Sequence, residues 1–361
     1  DPRCSYVLAE LNRFGAPDSI LTEAKPHIGT DLLRGVIKNI RNEIISLGGK
    51  VIFNCCLKEA AESGGGCRIK TSDGQELQTK ALVLAIGHSA RDTVQDLFGS
   101  GLQLIPKAFS CGVRIEQKQT VIDKAMYGSA AGHPALPPAE YQFSKRRNDR
   151  GVYTFCMCPG GQVVAAASEA EGVVVNGMSN SLRNGENANS AVVVSVGPDD
   201  FGSGALDGIA FQRKLERAAF ELGGSDYKAP CELAWDFIKG KKPSAISAVS
   251  PTYTPGVRVA DLGSLFPPVV NEYLKLGLSD FEGRAAGFSS MGAVITGVET
   301  RTSSPVRMLR SEQMTALGKS YIYPCGEGAG YAGGIVSAAV DGIKAALSII
   351  QRISNEKGGV L

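Results

Sequence analysis

The stretch Lys319-Ser320-Tyr321-Ile322-Tyr323-Pro324-Cys325-Gly326-Glu327-Gly328-Ala329-Gly330-Tyr331-Ala332-Gly333-Gly334-Ile335 decides how the rest of the chain is read. Residues 319–325 carry the aromatic and β-branched run of a strand, and from Ile335 to about Ile353 the apolar spacing is helical. Between them, Gly328, Gly330 and Gly333 fit G-x-G-x-x-G. Such a loop lets the backbone approach a phosphate while a helix N-terminus offers free N–H groups. The competing reading is a glycine-rich turn that only lets helix and strand pack closely. A first dinucleotide loop is followed by a second strand and an acidic residue about 20 positions on. Neither follows here, so a loop in this place meets a different part of a nucleotide.

The N-terminal side shows the same strand and helix grammar. A helical lead-in ends at the breaker Lys25-Pro26-His27-Ile28-Gly29, after which Thr30 or Asp31 can cap a helix. Leu33, Val36, Ile37, Ile40, Ile44 and Leu47 form one apolar face of that helix, and Gly48-Gly49 ends it. Val51 to Asn54 reads as a short strand. Cys67–Thr71 and Glu76–Lys80 read as a hairpin turning at Ser72-Asp73-Gly74-Gln75. Ala81 to Ile86 is an apolar run of the kind buried in a parallel sheet. It stops at Gly87-His88, where Ser89 or Asp92 can cap a helix through Leu97.

From about residue 106 the texture changes. Short alternating strands are expected at Ser110–Glu116, Val152–Met157, Val163–Ala167 and Ala191–Val196. Polar loops at 128–139 and 176–189 separate them, with helices at Ile209–Leu222 and Pro268–Leu276. Two α/β pieces thus bracket a β-rich segment, which reads as an insertion. The expected fold class is α/β, with residues 1–106 and 306–361 as one domain and 107–305 as a β-rich α+β domain inserted into it. The two bracketing pieces are expected to share a sheet.

Composition bounds the function. The 361 residues are about twice a usual domain, and 43% hydrophobic with 20% charged residues is a folded, not a disordered, balance. The net charge of +2 comes from 38 basic and 36 acidic side chains. Lys145-Arg146-Arg147 and Lys239-Gly240-Lys241-Lys242 are the densest basic clusters, too small for the stripe that displaces counterions from a nucleic acid. No apolar run approaches the roughly 20 residues that span a bilayer. Nine cysteines without regular spacing argue against a disulfide framework and for a reducing compartment. With three histidines, and Cys156-Met157-Cys158 as the one spaced cysteine pair, no metal site is expected.

Strand–Gly-Glu-Gly-Ala-Gly-Tyr-Ala-Gly-Gly–helix resembles the C-terminal FAD motif of two-dinucleotide-binding flavoproteins. The strand Leu82–Ile86 with Gly87 looks like the motif where such chains leave the FAD domain. Four further segments narrow the resemblance: Gly87 to Thr93, Phe155 to Gly161, Asn176 to Ser179, and Gly297 to Pro305. Together they resemble the FAD-dependent dehydrogenase family of bacteria and plastid-bearing eukaryotes, over nearly the whole chain. The resemblance implies an incomplete FAD-binding, Rossmann-like domain. The family's opening strand–GxGxxG–helix unit has no match before Lys25, so an upstream segment or a protein partner is expected to complete the sheet. FAD retention by this chain alone is then in question. The cofactor-binding residues implied are Leu57, Ala85, Gly87, Gly326, Glu327, Gly328, Gly330, Tyr331, Ala332, Gly333, Gly334 and Ile335. Glu327 takes the place of the more familiar aspartate on the ribityl chain.

Three constellations remain. Glu299 and Arg301, alternating on an expected strand, can point into a pocket as catalytic groups, Arg301 stabilising negative charge on a reduced flavin or a substrate. They can equally be a structural ion pair. Cys156 and Cys158 can form a redox pair or be small semi-buried cysteines. His88 can approach the nucleotide or be a satisfied interior histidine. The functional expectation is a FAD-dependent oxidoreductase acting on a small molecule, with NAD(P)H a candidate electron donor. Its substrate would lie among residues 155–161, 176–179 and 299–305, in the cytoplasm or an organelle stroma, the plastid first among organelles. The alternative is a non-catalytic flavoprotein homologue serving as an interaction or assembly subunit.

Overall fold

A computed structural model of the chain describes residues 1–290 and 292–358. Helices α1 (Arg3–Arg13) and α2 (Thr30–Ser46) precede a three-stranded antiparallel sheet of β1 (Leu57–Ser63), β2 (Gly66–Thr71) and β3 (Glu76–Thr79). The hairpin read from the sequence is therefore the second half of a meander. β4 (Leu82–Leu84), α3 (Arg91–Gly99) and β5 (Leu104–Pro106) follow.

Two expectations fail around α2. Its N-cap is Gly29, at φ +90°, with no side-chain cap. Asp31 instead accepts from Ser181 N (2.8 Å) and Oγ (2.7 Å), and Thr30 N–H donates to Ser179 O at 3.1 Å. Both candidate caps are thus spent tying the helix start to the 179–181 loop. Beyond the helix, residues 51–54 are not a strand. No strand among the described residues pairs with them, so they make no ladder bonds. Val51, Ile52 and Phe53 are exposed, with the Arg41 guanidinium 5.6 Å from the Phe53 ring. Of the helix's apolar face only Val36 is fully buried, against Val7, Leu11, Ile20 and Val340.

The large sheet has seven strands in a mixed order. In chain order, the segment runs β6 (Phe109–Lys118), α4 (Gln119–Tyr127), β7 (Ser144–Arg147), β8 (Arg150–Cys158), β9 (Gln162–Ala165), β10 (Val175–Met178) and β11 (Asn187–Val196). It continues with α5 (Pro198–Phe201), α6 (Asp207–Leu222), β12 (Ala229–Leu233), α7 (Ala234–Lys239), β13 (Val257–Val259), α8 (Pro268–Arg284) and β14 (Val294–Glu299). The spatial order is β13-β12-β14-β6-β11-β8-β7, with only β12–β13 parallel. β6 and β11, at the centre, are buried nearly throughout, and α8 packs across β11, β8 and β7. At their contact Gly277 leaves no room for a methyl, which would sit 2.5 Å from Val152 Cγ2. The α8 helix outruns its expected end at Leu276, and Arg301 lies beyond the strand that was expected to carry it. β10 takes the first residues of the expected loop 176–189 and β11 the last.

After the sheet, β15 (Val306–Met308) pairs antiparallel with β5, and β16 (Ile322–Pro324) pairs parallel with β4. α9 (Ile335–Gly358) closes the described chain. The N-terminal hairpin stands in its own sheet, apart from the β4–β16 pair. One core runs from Phe109 to Val298. A second gathers Ala60, Leu84, Leu97, Leu104, Val306, Met308 and Ile322, with Ile209 reaching in from α6.

Candidate functional site

Parallel pairing of β4 and β16 brings two strand ends together. Ile322, Tyr323 and Pro324 sit opposite Leu82, Val83 and Leu84, and Cys325 N–H donates to Leu84 O at 3.0 Å. Each strand is followed by a glycine at positive φ, Gly87 at +68° and Gly326 at +76°, a conformation that glycine adopts without steric cost. Gly326 N–H donates to Asp341 on α9 (2.8 Å), and Arg310 grips the same carboxylate at 2.7 and 2.8 Å. Burial works against the Asp341 charge, but these partners outweigh it and hold the carboxyl below its ordinary range.

The glycines divide by role. A methyl on Gly328 would lie 2.4 Å from Gly87 O, and one on Gly330 2.6 Å from Val306 O. Both are demanded by the fold itself. Gly333 has nothing within 4 Å of where its methyl would be, and Gly334 only Ser337 Oγ at 3.9 Å. These two are exposed, as is Ile335, beside the first turn of α9, whose N–H groups have no intrahelical acceptors. Tyr331 lies under Arg310, 3.6 Å from the ring centre. Ala332 is half-buried. Glu327 is half-buried, its Oε1 2.9 Å from His88 Nδ1. Ala85 is exposed at the end of β4, while Leu57 packs against the second core and lines neither cavity described below.

Two cavities flank this segment. One, of about 390 Å³, is lined by Leu11, His27 and Ile28, by Cys156 and Cys158, and by Ile335 and Val336 of α9. The other, of about 340 Å³, lies over the large sheet, where Ser110, Tyr153, Phe155, Thr302 and Ser303 face Gly333. The segments expected to share one substrate site thus divide: 156–159 and 176–179 line the first cavity, Phe155, Thr302 and Ser303 the second.

A bulge in β8 creates the division. Cys158 pairs with Asn189 and Phe155 with Ala191, so Cys156 and Met157 together oppose Ser190. Cys156 takes φ +44° there. Arg114, wholly buried on β6, holds the bulge. Its Nη2 donates to Cys156 O (2.5 Å) and Cys158 Sγ (3.4 Å), its Nε to Asn189 Oδ1 (2.8 Å), and its Nη1 to Glu299 (3.0 and 3.1 Å). Gly177 explains itself here, because a methyl on it would sit 1.9 Å from Arg114 Nη2. Burial pushes the Cys156 thiol up to about 11 and raises Cys158 too, despite the nearby guanidinium. Neither is an activated thiolate.

Glu299 and Arg301 do not come together. Glu299 is the buried partner of Arg114. Arg301 donates to Glu216 (3.2 Å to each oxygen) and to Ser89 and Ser168 Oγ (2.8 and 2.7 Å). Arg91 grips the other side of Glu216 at 2.7 and 2.8 Å and reaches Glu169 at 3.0 Å. Ser89, a candidate cap, is instead an acceptor for Arg301. Sequence reading missed Arg114. An arginine in the apolar alternation of Ser110–Glu116 signals a buried charge needing a partner.

The comparisons with known proteins support a FAD-dependent flavoprotein family. Residues 108–302 match the family described as FAD-dependent protein, C-terminal domain-like, and the chain belongs to that family. An uncharacterized protein of Clostridium beijerinckii is 48% identical over 360 residues, covering 99% of this chain and 68% of the relative. Among solved structures, CtdE in complex with FAD aligns with a TM-score of 0.34 and 11% identity, over 87% of this chain and 59% of that one. A putative FAD-containing monooxygenase from Photorhabdus luminescens gives 0.34 and 11%, over 88% and 63%. The chain spans less than two thirds of either solved protein. Among the described residues no helix is long and apolar enough to cross a membrane.

Proposed function

We propose that the protein is a FAD-dependent oxidoreductase whose cofactor lies against residues 326–335 and whose small-molecule substrate enters the cavity over the large sheet. In this reading residues 1–106 and 306–361 form the cofactor side and 107–305 the substrate side. The observation that carries it is the pair of open glycines, Gly333 and Gly334, at the first turn of α9. Gly328 and Gly330 are required by protein packing, whereas no contact among the described residues requires a glycine at 333. Open backbone next to the free N–H groups of the first turn of α9 fits a closely approaching cofactor. Bound FAD would supply the two-electron chemistry.

The chain's own residues divide the remaining work. Glu327 faces the cofactor side as an acceptor, with His88 fixing its carboxylate. Gly87 and Gly326 set the backbone level at the two strand ends. Glu299 and Arg301 are positioning residues in this reading: Glu299 holds Arg114 and so the bulge between the cavities, and Arg301 holds Ser89 near the end of β4.

The test is the absorption spectrum of the purified full-length protein, with the released cofactor identified by mass. A flavin band at near-stoichiometric content, strongly reduced in Gly333→Val with unchanged thermal stability, is the expected result. A colourless protein that stays folded, or full flavin content in Gly333→Val, would overturn the assignment.

A further inference from the structure

We propose that the cavity over the large sheet binds a neutral, flat ring carrying a conjugated carbonyl, the chemistry of an aromatic ketone or a quinone, and that the Tyr153 hydroxyl donates to the carbonyl oxygen. This rests on reading that cavity as the substrate site. Three adjacent strands build its wall. Ser110 on β6 stands opposite Ser195 on β11, and Tyr153 on β8 stands opposite Val193, two residues before Ser195. Residues directly opposite one another share a face of a sheet, as do residues two apart along a strand. Ser110, Tyr153 and Ser195 therefore lie on one face, with Phe155, opposite Ala191, beside Tyr153. Val152 belongs to the other face, against Gly277 of α8.

Hydroxyl protons on this face are left unspent. Thr302 is fully used, since its Oγ1 accepts from Ser110 N–H at 3.1 Å and donates to Ser110 O at 2.8 Å. Ser110 Oγ and Tyr153 Oη lie 2.7 Å apart, a pair with two protons and one bond between them. Ser110 is buried, and Tyr153 Oη is the one acceptor for its hydroxyl among the described residues. Ser110 therefore donates, and the half-buried Tyr153 keeps its own proton free. Ser195, whose carbonyl is held by Arg150 at 2.6 Å, has no hydrogen-bond partner for its Oγ among the described residues. Ser303 Oγ only accepts, from Lys107 Nζ at 3.4 Å.

Free O–H groups on an uncharged wall specify the ligand. None of the residues that line the cavity carries a charge. A carboxylate would give up its hydration there without a facing cation, which costs far more than burying a neutral acceptor. A carbonyl oxygen has two lone pairs and no proton, so it satisfies such donors and adds none of its own. The rings of Tyr153 and Phe155 offer flat apolar surface, and about 340 Å³ holds one substituted ring.

The experiment titrates the purified full-length protein with acetophenone, with its anionic isostere benzoate and with its hydrocarbon isostere α-methylstyrene, by ligand-observed NMR. Acetophenone is expected to bind at least about tenfold more tightly than benzoate. Tyr153→Phe should weaken acetophenone about fivefold, the usual weight of one hydrogen bond, and leave α-methylstyrene unchanged. Benzoate binding as tightly as acetophenone would overturn the proposal. So would binding of neither, an unchanged acetophenone affinity in Tyr153→Phe, or an equal loss of acetophenone and α-methylstyrene in that variant. Flavin content is read on the same samples. A preference for acetophenone without flavin leaves the carbonyl site standing and removes the oxidoreductase reading, and flavin without the preference does the reverse.

Discussion

Gly328 lies with its α-carbon against the backbone of Gly87, so close that a methyl would stand 2.4 Å from the Gly87 carbonyl oxygen and 2.8 Å from its nitrogen. This contact joins the segment after β4 to the segment after β16, and it separates glycines that protein packing requires from those it leaves open.

Gly328→Ala must push the strand ends apart. It is expected to lower the unfolding midpoint and to lose flavin together with stability. Gly333→Ala meets no protein atom, so it should leave the denaturant midpoint within error while weakening flavin retention. Parallel urea titrations and flavin assays check this. Equal destabilisation by both changes would contradict the division of roles.

The Arg114–Glu299 pair predicts a specific non-additivity. Arg114→Met strands a buried carboxylate and should cost about 3–5 kcal/mol, the usual penalty for removing one partner of a buried pair. Adding Glu299→Leu removes the stranded charge, so the double variant should be more stable than Arg114→Met alone. Gly177→Ala, which displaces the guanidinium, should resemble the single change.

Glu232 should make stability fall as pH rises. It is buried on β12, where burial pushes its carboxyl up to about 7 against the opposing Leu262 N–H, which it accepts at 2.7 Å. The native state holds this proton above the ordinary value of 4.5, where the unfolded chain has lost it. The contribution is therefore full below about 4.5 and is lost as pH rises through about 7. Glu232→Gln keeps the acceptor and removes the titration. Urea midpoints at about pH 5 and about pH 8 should converge in that variant, the wild type losing at most about 3 kcal/mol between them from this group.

Glu169 acts in the opposite direction. Hydrogen bonds from Arg213, then Arg91, hold it at about 2 despite partial burial. A depressed carboxyl contributes stability above its ordinary 4.5 that disappears as pH falls toward about 2. Glu169→Gln should flatten the acid limb of a pH–stability curve. An unchanged acid limb would count against the ion pair in solution.

Much of the framework was legible because it is written in local chemistry. The α2 periodicity, the Ser72–Gln75 turn and the strand–glycine–helix sequence at 322–335 each depend on neighbours in the chain. What escaped depends on distant partners. Thr30 and Asp31 look like caps until residues 179–181 arrive to claim them. Val51–Asn54 has strand composition, but a strand needs a neighbour to bond with. Gly177 and the cysteine pair read as motifs without a reason until Arg114, from another strand, is set between them. Gly330 has a reason that only the fold supplies, since a methyl on it would sit 2.6 Å from the distant Val306 carbonyl oxygen.

Glu216 is hydrogen-bonded at once by Arg91 at the start of α3, by Thr300 Oγ1 and by Arg301, so one carboxylate on α6 ties together segments more than 200 positions apart in the chain. Local opening of α6 would leave the buried Arg301 without a carboxylate and Arg91 with Glu169 alone. Such an opening cannot stop at one helix. Amide protons in α3, α6 and residues 300–302 should therefore exchange with solvent as a single cooperative unit, at one common free energy, even though the chain visits them far apart.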